Sequence, residues 1–259
     1  SKWSDLMIRL GSAILMVIIG LLALTFGGHV FHILVAVICG LMIWELVSMV
    51  APLNAPLALQ LGALSAGASF VAIYLPTGFG LPLLLAPTFV GFAQLVRNRV
   101  VFMIFSVMVL LAGFGMMLVR DDLGFIWMLW LIVTVVATDA LGYFAGRMIG
   151  GPKFWHAVSP KKTWSGTLFG WIGAAIVGFA FALYTGASLE LIGVSVAIAM
   201  ASQMGDIAES AIKRMMGVKD SSTLIPGHGG VLDRFDGMLG AAVFLLIVGQ
   251  TIGFPPGIV

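Results

Sequence analysis

The residue types best suited to chemistry are concentrated in one polar segment late in the sequence. The segment contains the run Pro226-Gly227-His228-Gly229-Gly230 and then the run Asp233-Arg234-Phe235-Asp236, which an apolar stretch follows. Two carboxylates three residues apart lie on one side of a helix, and negative charge is favoured in the first turn. Glycine-rich backbone can expose several N–H groups to a phosphate. The segment therefore predicts a site for a cation and a phosphorylated ligand, with a capping pair on a surface turn as the weaker alternative.

Two further groups of polar residues recur at helical spacing within or beside apolar stretches. One stripe comprises Asp139, Tyr143 and Arg147, and the other comprises Ser202, Asp206, Glu209 and Lys213. Ionisable groups inside a membrane are costly and usually face a cavity or a partner. Interhelical salt bridges would explain either stripe alone. Together with Asp233 and Asp236, however, Asp206 makes a set of hard oxygen ligands suited to Mg²⁺. Asp139 is expected to complete or support this set.

A second polar segment, Ser159-Pro160-Lys161-Lys162-Thr163-Trp164-Ser165-Gly166-Thr167, precedes another apolar run. Paired lysines with hydroxyl groups at a helix start suit phosphate oxygens. Anchoring at the membrane surface would explain the lysines but not the surrounding serines and threonines. The remaining polar residues give weaker signals: Glu45 is expected to reach the membrane interface, and His29, His32 and His156 are interpreted as interfacial or loop residues. The sequence contains neither a Walker A pattern nor a Rossmann glycine fingerprint.

The composition places these segments in a membrane protein. Hydrophobic residues make up 61% of the 259 residues, charged residues 9%, and the mean hydropathy is +1.13. A soluble domain carries about 25% charged residues, so a soluble enzyme and a disordered chain are both excluded. The single cysteine, Cys39, excludes an intrachain disulfide scaffold. The apolar runs are continuous rather than alternating, which predicts an all-α, polytopic integral membrane protein.

We predict nine transmembrane spans in a single membrane domain covering residues 1–259. Residues 1–122 form its N-terminal transmembrane region, and residues 123–259 form its catalytic region. The fourth span contains Pro82 and Pro87 and is expected to be either kinked or re-entrant. The predicted spans are Leu10–Phe26, Val30–Val50, Pro56–Leu75, Gly78–Val96, Val100–Val119, Leu123–Ala145, Thr167–Tyr184, Leu189–Gly205 and Gly237–Gly253.

The basic residues predict the orientation of these spans. With the N-terminus in the cytoplasm, twelve of the thirteen Lys and Arg residues fall on the inner side and Arg120 alone falls outside, as the positive-inside rule requires. Both long polar loops, Gly146–Gly166 and Lys213–Asp236, then face the cytoplasm. The inner residues are Lys2, Arg9, Arg97, Arg99, Arg147, Lys153, Lys161, Lys162, Lys213, Arg214, Lys219 and Arg234.

The segment from Ser210 to Asp236 resembles the signature of the phosphatidate cytidylyltransferase (CDP-diacylglycerol synthase) family, with no departure across 27 positions. The Ser-Pro-Lys-Lys-Thr segment, the stripe from Asp139 to Arg147 and the Gly205-Asp206 pair are also similar to the family. Ser165 departs from it, because many members have an acid there, and we assign Ser165 no role at the metal. The first ~120 residues match only as an apolar, multi-span region.

The resemblance implies transfer of the cytidylyl group of CTP to phosphatidate, giving CDP-diacylglycerol and pyrophosphate. It also implies Mg²⁺ dependence, a second, monovalent cation such as K⁺, a bacterial inner-membrane location with a cytoplasmic active site, and a homodimer. The partners expected are CTP, phosphatidate and membrane lipids, with no nucleic acid. We interpret four residues as catalytic: Asp206, Asp233, Asp236 and Lys219. The metal ligands are interpreted as Asp206, Asp233, Asp236 and Asp139. Eight are interpreted as substrate-binding: Arg147, Lys161, Lys162, Lys213, Arg214, His228, Gly229 and Gly230.

Within this set, Lys213, Arg214 and Lys219 are expected to bind the triphosphate. The residues Arg147, Lys161 and Lys162 bind either CTP or the lipid phosphate. The closest alternative is a CTP-dependent lipid or polyprenol kinase. A CDP-alcohol phosphatidyltransferase shares an Asp-x-x-Asp-Gly core, but here no later pair of Asp residues follows it. An ion-coupled transporter is the remaining alternative, and it is disfavoured because the charges gather at one face.

Overall fold

Long, uninterrupted apolar stretches make helices the dominant element of the chain. The computed structural model describes residues 2–155 and 158–258, with all their side chains except those of residues 2–6, 8, 9 and 161. Within these ranges the chain forms nine α-helices. They are α1 Lys2–Phe26, α2 Gly28–Val50, α3 Ala55–Ala72, α4 Thr77–Gln94, α5 Arg99–Leu118, α6 Phe125–Met148, α7 Trp164–Thr185, α8 Glu190–Met215 and α9 Leu232–Val248.

Seven of these helices, α2 to α8, are long and apolar enough to cross a membrane when the fifth is counted with the turn that follows it. The helix α1 adds a shorter apolar stretch, Leu10–Phe26, and α9 has 17 residues. The predicted all-α, multi-pass class is therefore confirmed, and the number of nine spans stays a prediction. Pro82 and Pro87 both lie inside α4, which continues through them from Thr77 to Gln94.

Three helices depart from the predicted spans by five residues or more. The helix α1 begins at Lys2 rather than Leu10, and α9 ends at Val248 rather than Gly253. The helix α8 ends at Met215 rather than Gly205, because the polar stripe beyond Gly205 keeps its helical spacing after the apolar window ends. The helix α9 begins at Leu232 rather than Gly237, which places Asp233 in its first turn. Hydropathy locates the apolar part of a helix and not the hydrogen-bonded end of it.

Two segments predicted as loops have regular structure. In the segment before α7, strand β1 (Lys153–Trp155) pairs antiparallel with β2 (Ser159–Thr163), in a register that joins Lys153 to Thr163. Between α5 and α6, Val119–Leu123 forms a π-helical turn. His156 lies outside the described residues.

The described chain divides into two compact units, and the first combines Ser1–Phe125 with Ile212–Phe235. In it, α2 packs closely on α3 through glycines: a Cβ added at Gly40 would lie 2.8 Å from the carbonyl oxygen of Gly62. Small residues of this kind allow close packing between membrane helices. A second contact region surrounds Ala72, Leu84, Leu110 and Phe114.

The second unit combines Ile126–Ala211 with Asp236–Val259. Its apolar end contains Trp130, whose indole Nε1 donates to Ser195 Oγ at 2.9 Å, and Phe254, which stacks on the same indole. Helices α6 and α7 approach closely at Gly142 and Gly166, where an added Cβ at Gly166 would lie 2.6 Å from the oxygen of Gly142. The single domain and its division at residue 122 stay predictions.

Candidate functional site

A cavity of about 620 Å³ lies within the second unit, and charged side chains reach it. Three elements supply its lining: one stripe of α6, the junction of β2 with α7, and α8. The lining residues are Thr138, Asp139, Gly142, Tyr143, Gly146, Arg147, Lys162, Thr163, Gly166, Thr167, Gln203 and Asp206. The structure thus brings together four charged residues that the sequence predicted separately as functional.

The central contact of the cavity joins Lys162 to Asp206, with Nζ 2.5 Å from Oδ2. Lys162 comes from the end of β2, one residue before the N-cap Thr163 of α7, whose hydroxyl accepts from Gly166 N at 3.2 Å. Asp206 lies in α8, and its other oxygen faces the Ser210 hydroxyl at 3.4 Å. Both charged side chains are only partly buried, at 23% and 30% exposure, so a ligand in the cavity can reach them.

Arg147 extends the positive charge of the cavity along α6. Its Nη1 donates to the hydroxyl of Tyr143 at 2.9 Å, one helical turn away. Both side chains are exposed and line the cavity. The stripe predicted from Asp139 through Tyr143 to Arg147 therefore faces one space, and its two ends carry opposite charges.

Three helices of the second unit meet beside Asp139. A Cβ added at Gly237 of α9 would lie 2.7 Å from Ser202 Oγ of α8 and 3.7 Å from Asp139 Oδ2 of α6. Asp139 also interacts electrostatically with Asp206 and with Lys162. Because Gly237 has no side chain, α6, α8 and α9 can approach one another here. The preceding residue is Asp236, whose Oδ1 accepts from Gly237 N at 2.7 Å.

The donor set of the cavity fits a hard cation. Among the described residues, no three His, Cys, Asp or Glu side chains form a group arranged to hold a metal ion by themselves. Mg²⁺, however, is usually held by one or two carboxylates, waters and substrate phosphates rather than by a complete protein cage. Asp139 and Asp206 line one cavity and supply such carboxylates.

Asp233 belongs to the first unit and makes a dense set of hydrogen bonds there. Its Oδ1 lies 2.6 Å from Lys213 Nζ. Its Oδ2 accepts from the backbone and hydroxyl of Ser221 and from Gly230 N, each at 2.8 Å. The ion pair is largely buried, because the Lys213 side chain is 14% exposed and that of Asp233 is 4% exposed. Asp233 thus holds the signature segment in place, and its role as a metal ligand shared with Asp206 stays a prediction.

The structure explains why positions 229 and 230 are both glycine. Gly229 has φ +86°, and a Cβ there would lie 2.9 Å from Asp233 Oδ2. A Cβ at Gly230 would lie 2.6 Å from Glu45 Oε1. A side chain at either position would displace a buried carboxylate. The predicted approach of this backbone to a phosphate stays a prediction.

The remaining residues predicted to bind substrate are distributed as follows. Arg214 and Lys219 are exposed in the first unit. His228 contacts α1, where its Nδ1 lies 2.9 Å from Ser12 Oγ. The side chain of Lys161 lies outside the described residues.

Glu45 was interpreted from the sequence as an interfacial residue, and that interpretation is wrong. Its side chain is 0% exposed, and the carboxylate accepts three hydrogen bonds from the segment 221–232, from the Ser222 hydroxyl, Val231 N and Leu232 N, with the Ser221 hydroxyl 3.2 Å away. An ionised carboxylate inside an apolar helix is energetically costly unless it has a partner. This cost was the signal in the sequence that Glu45 binds another part of the chain. The sequence could not name the partner, because more than 170 residues separate the two.

A second polar cluster in the first unit involves both histidines of α2. The ring of His32 is buried, with Nδ1 2.7 Å from Tyr74 Oη and Nε2 2.8 Å from Asp121 Oδ2. His29 contacts the same hydroxyl. His32 is therefore buried against Tyr74 and Asp121, and its position at the membrane interface stays a prediction.

Comparison with known proteins connects the chain to one family. A family model described as "Cytidylyltransferase family" matches residues 7–252. A protein of Staphylococcus aureus (strain COL) named phosphatidate cytidylyltransferase is 31% identical over 249 residues, which cover 90% of this chain and 94% of the relative.

Higher identity is found over shorter alignments. The phosphatidate cytidylyltransferase of Brucella abortus biovar 1 (strain 9-941) is 43% identical over 152 residues, 56% of each protein. That of Helicobacter pylori (strain J99 / ATCC 700824) is 40% identical over 137 residues, 52% of this chain and 51% of the relative. The chain thus spans about half the length of these two curated relatives.

Proposed function

Because the chain belongs to the cytidylyltransferase family, we propose that it transfers the cytidylyl group of CTP to phosphatidate and releases pyrophosphate. The observation that carries the proposal is the ion pair of Lys162 and Asp206 in a cavity that also contains Asp139 and Arg147. Mixed charges in one cavity suit a reaction in which two anions and a divalent cation must meet.

The proposed reaction requires no protein nucleophile. An ionised oxygen of the phosphatidate phosphate attacks the α-phosphorus of CTP, the bond from that phosphorus to the bridging oxygen of the β-phosphate breaks, and pyrophosphate departs with the electron pair. The attacking oxygen is already deprotonated, so a strong general base is dispensable. The barrier is therefore electrostatic and is lowered by positioning and charge neutralisation.

The chain's own residues divide between the two signs of charge. Lys162 and Arg147 bind phosphate oxygens in the cavity, and Tyr143 holds Arg147 in place. Asp206 and Asp139 are the proposed ligands of Mg²⁺, with Asp236 as a further candidate. When bound, Mg²⁺ neutralises charge on the phosphate oxygens of CTP. A role for K⁺ and the assignment of Asp233 to the metal remain predictions.

We further propose that the enzyme is a bacterial inner-membrane protein whose active site faces the cytoplasm and that it functions as a homodimer. The distribution of basic residues supports the orientation. CTP is a cytoplasmic nucleotide, which supports the same orientation, and phosphatidate would enter the cavity from the inner leaflet.

Conversion of phosphatidate by the purified protein tests the proposal. With CTP and Mg²⁺ we expect CDP-diacylglycerol and pyrophosphate in equal amounts, and with excess EDTA we expect neither. Full activity in EDTA would remove the divalent cation from the proposal. Absence of CDP-diacylglycerol from folded protein under all conditions would remove the reaction itself.

A further inference from the structure

Glu45 is a buried carboxylate far from the polar segments in sequence, yet it is saturated with hydrogen bonds from one of them. Oε1 accepts from Val231 N at 2.8 Å and from the Ser222 hydroxyl at 2.6 Å. Oε2 accepts from Leu232 N at 2.7 Å and faces the Ser221 hydroxyl at 3.2 Å. Burial of an ionised carboxylate is strongly unfavourable unless donors of this number compensate for it.

The two backbone donors stand at the start of α9, which begins at Leu232. The first N–H groups of a helix have no partner within the helix and need an acceptor from elsewhere. In this chain the acceptor comes from α2 rather than from a neighbouring residue. The negative charge of Glu45 at this helix end is also favoured by the helix dipole. Glu45 therefore fixes where α9 starts.

The same segment is held a second time by Asp233. The Ser221 hydroxyl lies 2.8 Å from Asp233 Oδ2 and 3.2 Å from Glu45 Oε2, so both carboxylates contact the same residue. Gly230 lies between them: its N–H donates to Asp233, and a Cβ there would lie 2.6 Å from Glu45 Oε1. The position of the Asp233 carboxylate thus depends on a segment that Glu45 anchors.

We propose that Glu45 is a positioning residue for the reaction: its carboxylate orders the segment 221–232 and the first turn of α9, and so sets the position of Asp233. This assigns α2, which the sequence treated only as an apolar span, a part in ordering the segment that carries Asp233. The role in the reaction rests on the proposed function, whereas the ordering of the segment does not.

The test compares Glu45→Gln and Glu45→Asp with wild type in the full chain. In Glu45→Gln, the NH₂ group replaces one carboxylate oxygen and cannot accept from the donors that face it. In Glu45→Asp, the side chain is one methylene shorter and cannot reach both backbone amides. We expect faster hydrogen–deuterium exchange of the segment 221–232 and a kcat lower by about 10²-fold, with KM for phosphatidate nearly unchanged. Thr223→Ala is the matched control, because Thr223 is exposed in the same segment.

A purely structural role would lower the yield of folded protein without changing kcat per folded molecule. If either Glu45 variant folds and keeps wild-type kcat or wild-type exchange, the proposal is overturned. Should both variants fail to fold, Ser222→Ala decides instead, with exchange read at Val231 and Leu232. The Ser222 hydroxyl donates to Glu45 and also accepts from Leu224 N at 3.1 Å, so exchange at Leu224 would change whatever Glu45 does. In this variant we expect faster exchange and a kcat lower by about tenfold, and wild-type values for both would contradict the proposal.

The two readouts also separate this inference from the proposed function. Wild-type protein without CTP-dependent conversion of phosphatidate would overturn the proposed function and the catalytic part of this inference. The exchange comparison would still decide whether Glu45 orders the segment. Active wild-type protein with unchanged exchange in Glu45→Gln would overturn the inference alone.

Discussion

Lys162 and Asp206 form an ion pair across the cavity of the second unit, with Nζ 2.5 Å from Oδ2. The lysine precedes α7 and the aspartate lies in α8, so two separate stretches of chain place opposite charges in one space. A partly exposed pair of this kind contributes little stability by itself. It lies in one cavity with Asp139, Tyr143 and Arg147, and we propose that its role is in the reaction.

Lys162→Ala should lower activity far more than stability. The substitution removes a positive charge that we propose binds phosphate oxygens, and loss of one electrostatic contact of this type costs about 10²–10³ in kcat. Lys153→Ala is the matched control, since Lys153 is exposed on the paired strand and should keep near wild-type activity. The measurement is steady-state kinetics on detergent-purified protein. Equal losses in both variants would show a general effect of positive charge on the hairpin rather than a site.

Asp206→Asn should change the dependence of the rate on Mg²⁺. The amide is a poorer ligand for a hard cation, so we expect the Mg²⁺ concentration for half-maximal rate to rise and the maximal rate to fall by about 10²-fold or more. Glu190→Gln, an exposed acid at the other end of α8, is the control. An unchanged Mg²⁺ titration in Asp206→Asn would take this residue out of the metal site.

Asp233→Asn should lower both activity and stability. It removes the negative charge from the largely buried ion pair of Lys213 and Asp233, and breaking such a pair costs about 3–5 kcal/mol. The double variant Asp233→Asn with Lys213→Gln should recover part of the stability, because the buried charge is removed, but not the activity. Thermal unfolding in detergent measures the first effect and turnover the second. A double variant no more stable than Asp233→Asn would contradict the assigned pair.

Tyr143→Phe should have a small effect that depends on Arg147. The substitution removes only the hydrogen bond from Arg147 Nη1, so we expect a rise in KM of about threefold to tenfold and little change in kcat. In an Arg147→Ala background the same substitution should have no further effect. Independent, additive effects of the two substitutions would show that Tyr143 acts by another route.

The sequence predicted the helical class and most of the helices, because continuous apolar runs determine both. It placed Asp139, Tyr143 and Arg147 on one stripe, and the structure places all three on one cavity. The spacing of Asp206 relative to that stripe was not predictable in detail, since it depends on how α6 and α8 pack. The close approach of Gly237 to Ser202 of α8 and to Asp139 of α6 shows why: glycines at helix contacts carry no hydropathy signal.

Two features were missed for different physical reasons. The β1–β2 hairpin is short, polar and irregular in register, so it lacks the alternating pattern by which strands are usually identified. The role of Glu45 depends on a tertiary contact with Val231 and Leu232, and the burial of one acid gives no information on its partner. The cost of burying a carboxylate therefore identified Glu45 as unusual, but only the structure shows which groups it binds.

The fate of the phosphates of CTP tests the central claim most directly. Purified protein is incubated with phosphatidate, Mg²⁺ and CTP that carries radioactive phosphorus in either the α- or the γ-position. We predict that α-label enters the lipid, that γ-label appears in pyrophosphate, and that Lys162→Ala and Asp206→Asn lower both in parallel. Entry of γ-label into the lipid would identify a CTP-dependent lipid kinase and contradict cytidylyl transfer.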